Sequence, residues 1–524
     1  MPFHPSHESY KYWVLANVMI GTFMAVLDST IVNVGLPKIM ASYGIGIDTV
    51  EWVITGYLLA FAVMLPASAW LSDKFGYKKM YFLSLMIFTI GSFLCGIASD
   101  ENLLIVSRVI QGLGGGSIAP IGMAIITREF PAEKRGIALG FWAIAAAASI
   151  SFGPLIGGYL VDNFSWKLMF DINVPVGIIG MLVTVIIQQE YKNRKVKRFD
   201  IIGFISSCIF FPVFIYALTE ANTASNTEGW RSPEIILLLA VSAIFLAIFI
   251  VNELTASQPL IDLRLFLNYN FGVCNLIIFL FGMGMFGSTF LMPVYLQNSL
   301  GYTAIQAGAV FLPVGILQGF TSPVSGFISD RFSAKAPIII GIFLLTISFY
   351  LNTFLSYLTE HDFIMFTLYL RGVGMGLLFT PLSTLALVDM PREKMAQASG
   401  LTNIVRQVGG SFGVALLTTI LTIRTTYHNG MYSQAVNSQS EIYNTVISGI
   451  KYHSMHDAGF NLVNSNRLGQ LFVYTQINKE AFIKGINDDF LIAAIITLAG
   501  IIPVLWLREK KKNKYAVRKP LPTE

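Results

Sequence analysis

Charge is scarce in this chain. Only 12% of its 524 residues are Asp, Glu, Lys or Arg, about half the share of an ordinary soluble domain. With 54% hydrophobic residues and a mean hydropathy of +0.64, that scarcity excludes a soluble enzyme with a membrane tail and leaves a polytopic membrane protein. Cysteine is nearly absent too. Cys95, Cys208 and Cys274 all fall in apolar runs, which excludes a disulfide framework. The six histidines, His4, His7, His361, His428, His453 and His456, lie outside those runs or at their edges. No nucleophile–base set or metal-ligand cluster stands out, so a membrane enzyme is the least favoured class and no metal or cofactor is expected. The glycine run Gly112-Leu113-Gly114-Gly115-Gly116 lacks a following Gly-Lys-Ser/Thr and sits inside an apolar run. It reads as helix packing, not as a phosphate cradle. No cleavable leader is expected, because the first apolar run is too long for a signal peptide.

What is present is a long series of apolar runs, at about 12–36, 50–71, 79–98, 103–127, 136–160, 168–189, 200–219, 234–252, 271–296, 305–328, 337–357, 363–388, 400–423 and 490–507. A helix of about 20 residues spans the hydrocarbon core of a bilayer, so these predict an all-α integral membrane protein with fourteen transmembrane helices. Lys and Arg crowd the alternate loops and the C-terminal tail, while the short loops of the other side hold only Lys38, Lys167 and Arg231. Positive residues stay inside. Both termini are therefore expected in the cytoplasm, and the net charge of +5 reports orientation, not nucleic-acid binding. A basic linker with Lys192, Arg194, Lys195, Lys197 and Arg198 follows the sixth run. A polar insert, 424–489, precedes the last and is expected outside; within it Ile442–Ile450 and Phe472–Ile486 show helical periodicity. It reads either as an incidental structured loop or as a docking surface.

The chain also repeats itself. Leu71-Ser72-Asp73-Lys74-Phe75 is matched by Ile328-Ser329-Asp330-Arg331-Phe332, Arg108-Val109-Ile110-Gln111-Gly112 by Arg371-Gly372-Val373-Gly374, and Gly153-Pro154-Leu155-Ile156-Gly157-Gly158 by Gly409-Gly410-Ser411-Phe412-Gly413. Three landmarks in one order divide the chain into a first six-helix half (1–189), a linker with two extra helices (190–252), and a second half (253–524) carrying the insert. Two similar halves with a site between them are the sequence mark of a rocking transporter.

Asp28 is the only full charge in the middle of the first run. A carboxylate there is costly, and by default marks function. It is suited to carry a proton, since burial and a nearby cation push its protonation in opposite directions. The other reading is a buried Asp tied by hydrogen bonds to Ser29, Thr30 or Asn33. Arg108, in the fourth run, must have acceptors. It either tunes the carboxylate or joins spans one and four structurally; Arg371 and Arg406 read as structural. Asp171, about one turn inside the sixth run, is a candidate second titratable or cation-binding site, or a wet residue at a mouth. Glu51, Glu220 and Asp389 read as interfacial. Phe279, Phe281, Phe286, Phe290, Trp142 and Tyr295 together fit a broad apolar pocket.

Leu27-Asp28-Ser29-Thr30-Ile31-Val32-Asn33-Val34-Gly35-Leu36-Pro37, Ser165-Trp166-Lys167 with Ile172-Asn173-Val174-Pro175-Val176-Gly177, and Gln297-Asn298-Ser299-Leu300-Gly301-Tyr302-Thr303 resemble the fourteen-helix drug:proton antiporter branch of the major facilitator superfamily, EmrB/QacA type. The long insert is similar to the EmrB-like permeases in particular. The resemblance implies proton coupling through Asp28 and Arg108. It implies a gating motif at Asp73, Lys74, Gly76 and Lys78 with a second copy at Asp330 and Arg331, although Ala69 stands where that motif leads with glycine. Gly153, Pro154, Gly157 and Gly158 resemble the motif of exporters; the proline and glycines read as a pliable, tightly packed helix at the interface between halves, or as ordinary small-residue helix packing. The implied protein is a proton-coupled antiporter of the bacterial inner membrane that exports hydrophobic or amphipathic drugs. Its implied partners are a periplasmic membrane-fusion adaptor and an outer-membrane channel. The alternatives are a dedicated exporter of a lipid, fatty acid or siderophore, and a non-transporting scaffold or receptor.

Overall fold

The computed structural model describes residues 9–130, 132–192, 199–221, 226, 228–257, 259, 262–388, 390, 395–436, 440–456 and 461–508. Asp389 and most of the linker's basic residues lie outside this set. Helix follows from the composition, because a backbone in hydrocarbon must satisfy its own hydrogen bonds. The first half comprises α1 (Tyr10–Tyr43), α2 (Ile47–Phe75), α3 (Tyr77–Ile97), α4 (Glu101–Glu129), α5 (Ala132–Asn163) and the broken pair α6 (Leu168–Asp171) and α7 (Asn173–Ile187). Two further helices follow, α8 (Ile201–Glu220) and α9 (Pro233–Thr255). The second half contains α10 (Tyr269–Asn298), the broken pair α11 (Ala304–Ala309) and α12 (Leu312–Arg331), α13 (Lys335–Leu351) and α14 (His361–Val388). It ends with α15 (Met395–Ala435), α16 (Glu441–His456), α17 (Leu462–Ala499) and α18 (Ile501–Trp506). Every expected apolar run lies in a helix or a helix pair. Among the described residues, 11 helical stretches are long and apolar enough to cross a membrane by length and composition.

Chemistry at the helix ends sets the boundaries. Gly44 closes α1 at φ 68° and Gly76 turns α2 into α3 at φ 107°, angles that glycine adopts without steric cost. Asp100 caps α4 by accepting from the Leu103 amide at 2.9 Å, and Thr303 with Gln306 forms a capping box on α11.

The internal repeat appears as a repeat of packing. In the first half α4 lies between α2 and α3, α1 packs on α5, and α3 on α7. In the second, α14 lies between α12 and α13, α10 packs on α15, and α13 on α17. The halves meet along two seams, α5 against α11 and α12, and α2 against α15. The pair α8–α9 leans through α8 on both α2 and α15, beside the second seam.

Among its described residues the insert is helical almost throughout. Helix α15 runs on to Ala435, α16 follows, and α17 starts at Leu462 and continues unbroken to Ala499. We call the end of the bundle that carries this extension the insert end, and the other, where α1 begins and α18 finishes, the terminal end.

Candidate functional site

Helix α4 places the central cation. Gly112 and Gly116 bring it against the backbone of Tyr57 and Phe61 on α2, and Gly114 against that of Phe88 on α3. A side chain at any of these would push the helices apart. Arg108 and Gln111, three residues apart, share one face of α4 and both project into the bundle, 1% and 0% exposed.

Asp28 is there to meet them. It is fully buried and ion-paired with Arg108 through Oδ2. Its Oδ1 accepts from Gln111 Nε2 at 2.7 Å and from Asn173 Nδ2 on α7 at 2.8 Å. The guanidinium is used further. Its Nε donates to Val53 O on α2 at 2.8 Å, its Nη1 also bonds Gln111 Oε1, and its plane lies 4.1 Å from the centroid of Tyr57. Gln111 then donates to Ser92 Oγ on α3 at 2.7 Å. One carboxylate thus ties together α1, α2, α3, α4 and α7. Thr30 and Ser29 bond backbone carbonyls instead. Asp28 points into the interior of the first half, away from both seams.

Asp171 is not a partner of Asp28. It is half-buried, its carboxyl against Gly96 of α3. The α6–α7 residue that reaches Asp28 is Asn173, two positions on. Glu51 differs from its interfacial reading, being fully buried on α2.

The exporter-like segment sits at the first seam. Gly157 faces Ile31 O of α1, where a Cβ would come within 2.7 Å. On the other side Gly158 meets the backbone of Ala304 and Ile305, and Gly308 meets that of Pro154 and Leu155. Asp162, at the end of α5, accepts from the amides of Ala304 at 3.0 Å and Ile305 at 2.6 Å. Gln297 donates to Val34 O at 2.8 Å. The two halves are therefore closed on each other at the insert end.

At the terminal end Asp73 accepts from Tyr77 at 2.9 Å and pairs with Arg128 at 3.7 Å; both partners belong to the first half. The first amides of α3, at Lys78 and Lys79, are taken by Glu190, each at 3.2 Å. The Gly76 turn lies against the same carboxyl, and Lys78 Nζ donates to Val185 O at 2.7 Å. Lys74 lies over Trp70, 4.5 Å from its ring centroid. Arg331 is exposed, over Phe327 and Phe332; the side chain of Asp330 lies outside the described residues.

The second half has a buried arginine, Arg371, with no carboxylate paired to it among the described residues. Arg371 donates to Met285 O at 3.0 Å and to Thr289 on α10. Arg406 donates to Asn403 Oδ1 at 3.0 Å and lies over Phe379. The expected aromatic pocket is not assembled as such. Phe281, Phe290 and Tyr295 are buried core, and Phe279 and Phe286 lie on Gly409 and Gly410. An aromatic row does run beside the second seam, from α8 to α15 to α10, Phe214 stacking on Phe412 at 5.7 Å and Phe412 facing Phe279 at 6.2 Å.

Two similar half-bundles, a polar knot buried in one of them and glycine-lined seams between them define a membrane transporter, not an enzyme. Residues 18–414 match the Major Facilitator Superfamily, and the chain belongs to that family. It is 31% identical over 493 residues to the multidrug export protein EmrB of Escherichia coli K12, covering 93% of each chain. It is 32% identical over 514 residues to the uncharacterized MFS-type transporter YhcA of Bacillus subtilis, 97% of this chain and 94% of that one. It is 30% identical over 510 residues to the fatty acid resistance protein FarB of Neisseria gonorrhoeae, 97% and 98%. In fold it resembles a bacterial homologue of the human lysosomal transporter Spinster in its inward-facing, unoccupied conformation, with a TM-score of 0.62 at 17% identity over 97% of this chain and 100% of that one.

Proposed function

We propose that this protein is a proton-coupled efflux antiporter that exports hydrophobic and amphipathic compounds. The observation that carries the reading is the Asp28–Arg108 pair, fully buried and tied to five helices of a transporter half. An ion pair sealed from water is costly to assemble, and removing one partner leaves an uncompensated charge. A proton arriving at Asp28 would weaken its hold on Arg108, Gln111 and Asn173 together, loosening α4 and α7 from α1. Changes at that point reach the seam through α1, which packs on α5. The bonds among Asp162, Ala304 and Ile305 close the insert end, so this conformation is read as open toward the cytoplasm.

Export of drugs is supported by the resemblance to EmrB, a multidrug export protein, and by the aromatic row beside the second seam. A second reading, export of a fatty acid or similar lipid, is favoured by the resemblance to FarB. We place the protein in a bacterial inner membrane with both termini cytoplasmic, on the charge asymmetry of its loops, and divide it at 1–189, 190–252 and 253–524. The insert is read as the docking site of a periplasmic adaptor leading to an outer-membrane channel. It carries exposed Leu471 and Tyr474, 60% and 62% accessible.

The test is efflux from proteoliposomes under an imposed pH gradient, with ethidium and a long-chain fatty acid as probes. Wild type moves at least one of them with the gradient and releases it without; Asp28→Asn loses the response to pH. Wild type that ignores the gradient with both probes overturns the reading.

A further inference from the structure

The second half holds a buried acid that no part of the site above uses. Asp489 on α17 is 0% exposed, and neither carboxylate oxygen meets a hydrogen-bond partner among the described residues. It belongs to a row spaced four apart on one helix face, Gly485, Asp489, Ala493 and Thr497. Gly485 lies against Thr425 and Leu421 of α15, while Ala493 and Thr497 lie against Gly284 of α10. Asp489 therefore stands where α10, α15 and α17 converge. Buried Thr418, about two turns below Thr425 on α15, likewise has an unpartnered hydroxyl.

The charged groups around it are otherwise engaged or distant. Asp488, its chain neighbour, holds both Arg424 and His428 of α15. Tyr295 of α10 gives its hydroxyl to Ser356 O at 2.7 Å. Lys335 of α13 lies at the terminal end, where its Nζ bonds Leu505 O, and Tyr350 is half exposed. Helix α16, with Lys451, His453 and His456, meets α17 near Gly469, five turns away. Arg406 sits at the far end of α15, and Arg371 gives Nη2 to Met285 and Thr289 of α10 while its Nη1 has no hydrogen-bond partner among the described residues, Asp489 included. An ionised carboxylate with no donor and no cation is strongly disfavoured in such a place.

We propose that Asp489 is a second proton carrier of the transport cycle, loaded as the neutral acid in this conformation and emptied when α15 and α17 shift against α10. This rests on the proton-coupled reading above and adds a carboxyl in the half where, among the described residues, no acid pairs with the buried Arg371. The test uses the full-length protein in proteoliposomes with ethidium as probe. The number of protons exchanged per ethidium is found from the opposing gradient at which net flux stops. Asp489→Asn, which keeps the shape of the neutral acid, is expected to lower that number by one while ethidium still binds. Asp489→Glu restores it. In infrared spectra at neutral pH, the carbonyl band of a protonated carboxyl seen in wild type is diminished in Asp489→Asn. An unchanged proton number, or an unchanged band, in Asp489→Asn overturns the proposal. Wild type with no proton dependence for ethidium or for the long-chain fatty acid overturns the antiporter reading itself, which the wild-type control separates from a failure at Asp489; if only the fatty acid responds, the proton number is measured with it.

Discussion

Asp28 takes hydrogen bonds from three side chains on two other helices, and each partner has further work. Gln111 is the joint of the network, accepting from Arg108 and donating to Asp28 and Ser92. Gln111→Leu should lower stability by about 1–3 kcal/mol, the cost of stranding buried polar partners, read from thermal melting in detergent. Arg108→Lys keeps the charge but loses the planar fork that serves Asp28, Val53 O and Gln111 while lying over Tyr57. Gradient-driven flux should fall by at least about tenfold, since lysine does not replace arginine at multidentate sites; flux within about twofold of wild type would make the fork dispensable. Asp28 and Arg108 were legible in the sequence because a full charge in an apolar run stands out. Gln111 and Asn173 were not, because a neutral amide carries no such signal, although Gln111 lies three residues after Arg108 on the same helix face. Asp489 was hidden by its neighbours, since the polar stretch before it made it look like the end of a loop.

Among the elements, α5 shows what a glycine–proline stretch does. Its glycines let two backbones approach, α1 on one side and α11 on the other. Gly158→Leu should pry α5 from α11, leaving the protein folded but unable to close its insert end. The expected result is loss of uphill efflux, with labelling of a cysteine placed at Ile305 made faster. That this stretch lies between the halves was legible from its glycines and proline; that its two faces meet α1 and α11 was not, because which neighbour a small-residue face meets is decided by tertiary packing. Helix α4 depends on its cap. Asp100 is held below the usual carboxylate range, chiefly by the Leu103 amide and then by the Ser99 hydroxyl. A lowered folded value means its contribution is present above the ordinary carboxylate range and is lost as pH falls through that range into the folded one. Asp100→Asn, which keeps the cap without the charge, should flatten that acid-side loss in melting curves. The insert was only half legible. The periodicity of 442–450 and 472–486 falls in α16 and α17 as expected, but polar composition concealed that α15 and α17 run straight through.

For the whole molecule, the packing repeats as the sequence landmarks do, and the halves touch along two seams. If the bonds of Asp162 to Ala304 and Ile305 must part in every cycle, a disulfide across them should stop it. Asp162→Cys with Ala304→Cys is expected to block efflux on oxidation and regain it with reductant, the native cysteines being buried or half-buried. Efflux that persists in the cross-linked protein would rule out opening at this seam. The insert adds a mechanical consequence. Both of its long helices are continuations of membrane helices that pack within the second half, α15 on α10 and α17 on α13, and Asp488 clamps them together through Arg424 and His428. At ~1.5 Å per residue, the stretch of α17 from Leu462 to Asp489 reaches about 40 Å. A rigid turn of about 10–15°, the scale on which packed bodies switch, would swing its far end by roughly 7–10 Å. The second half thus carries a lever arm: a small tilt within the bilayer becomes a stroke beyond it, large at the tip and slight at the base.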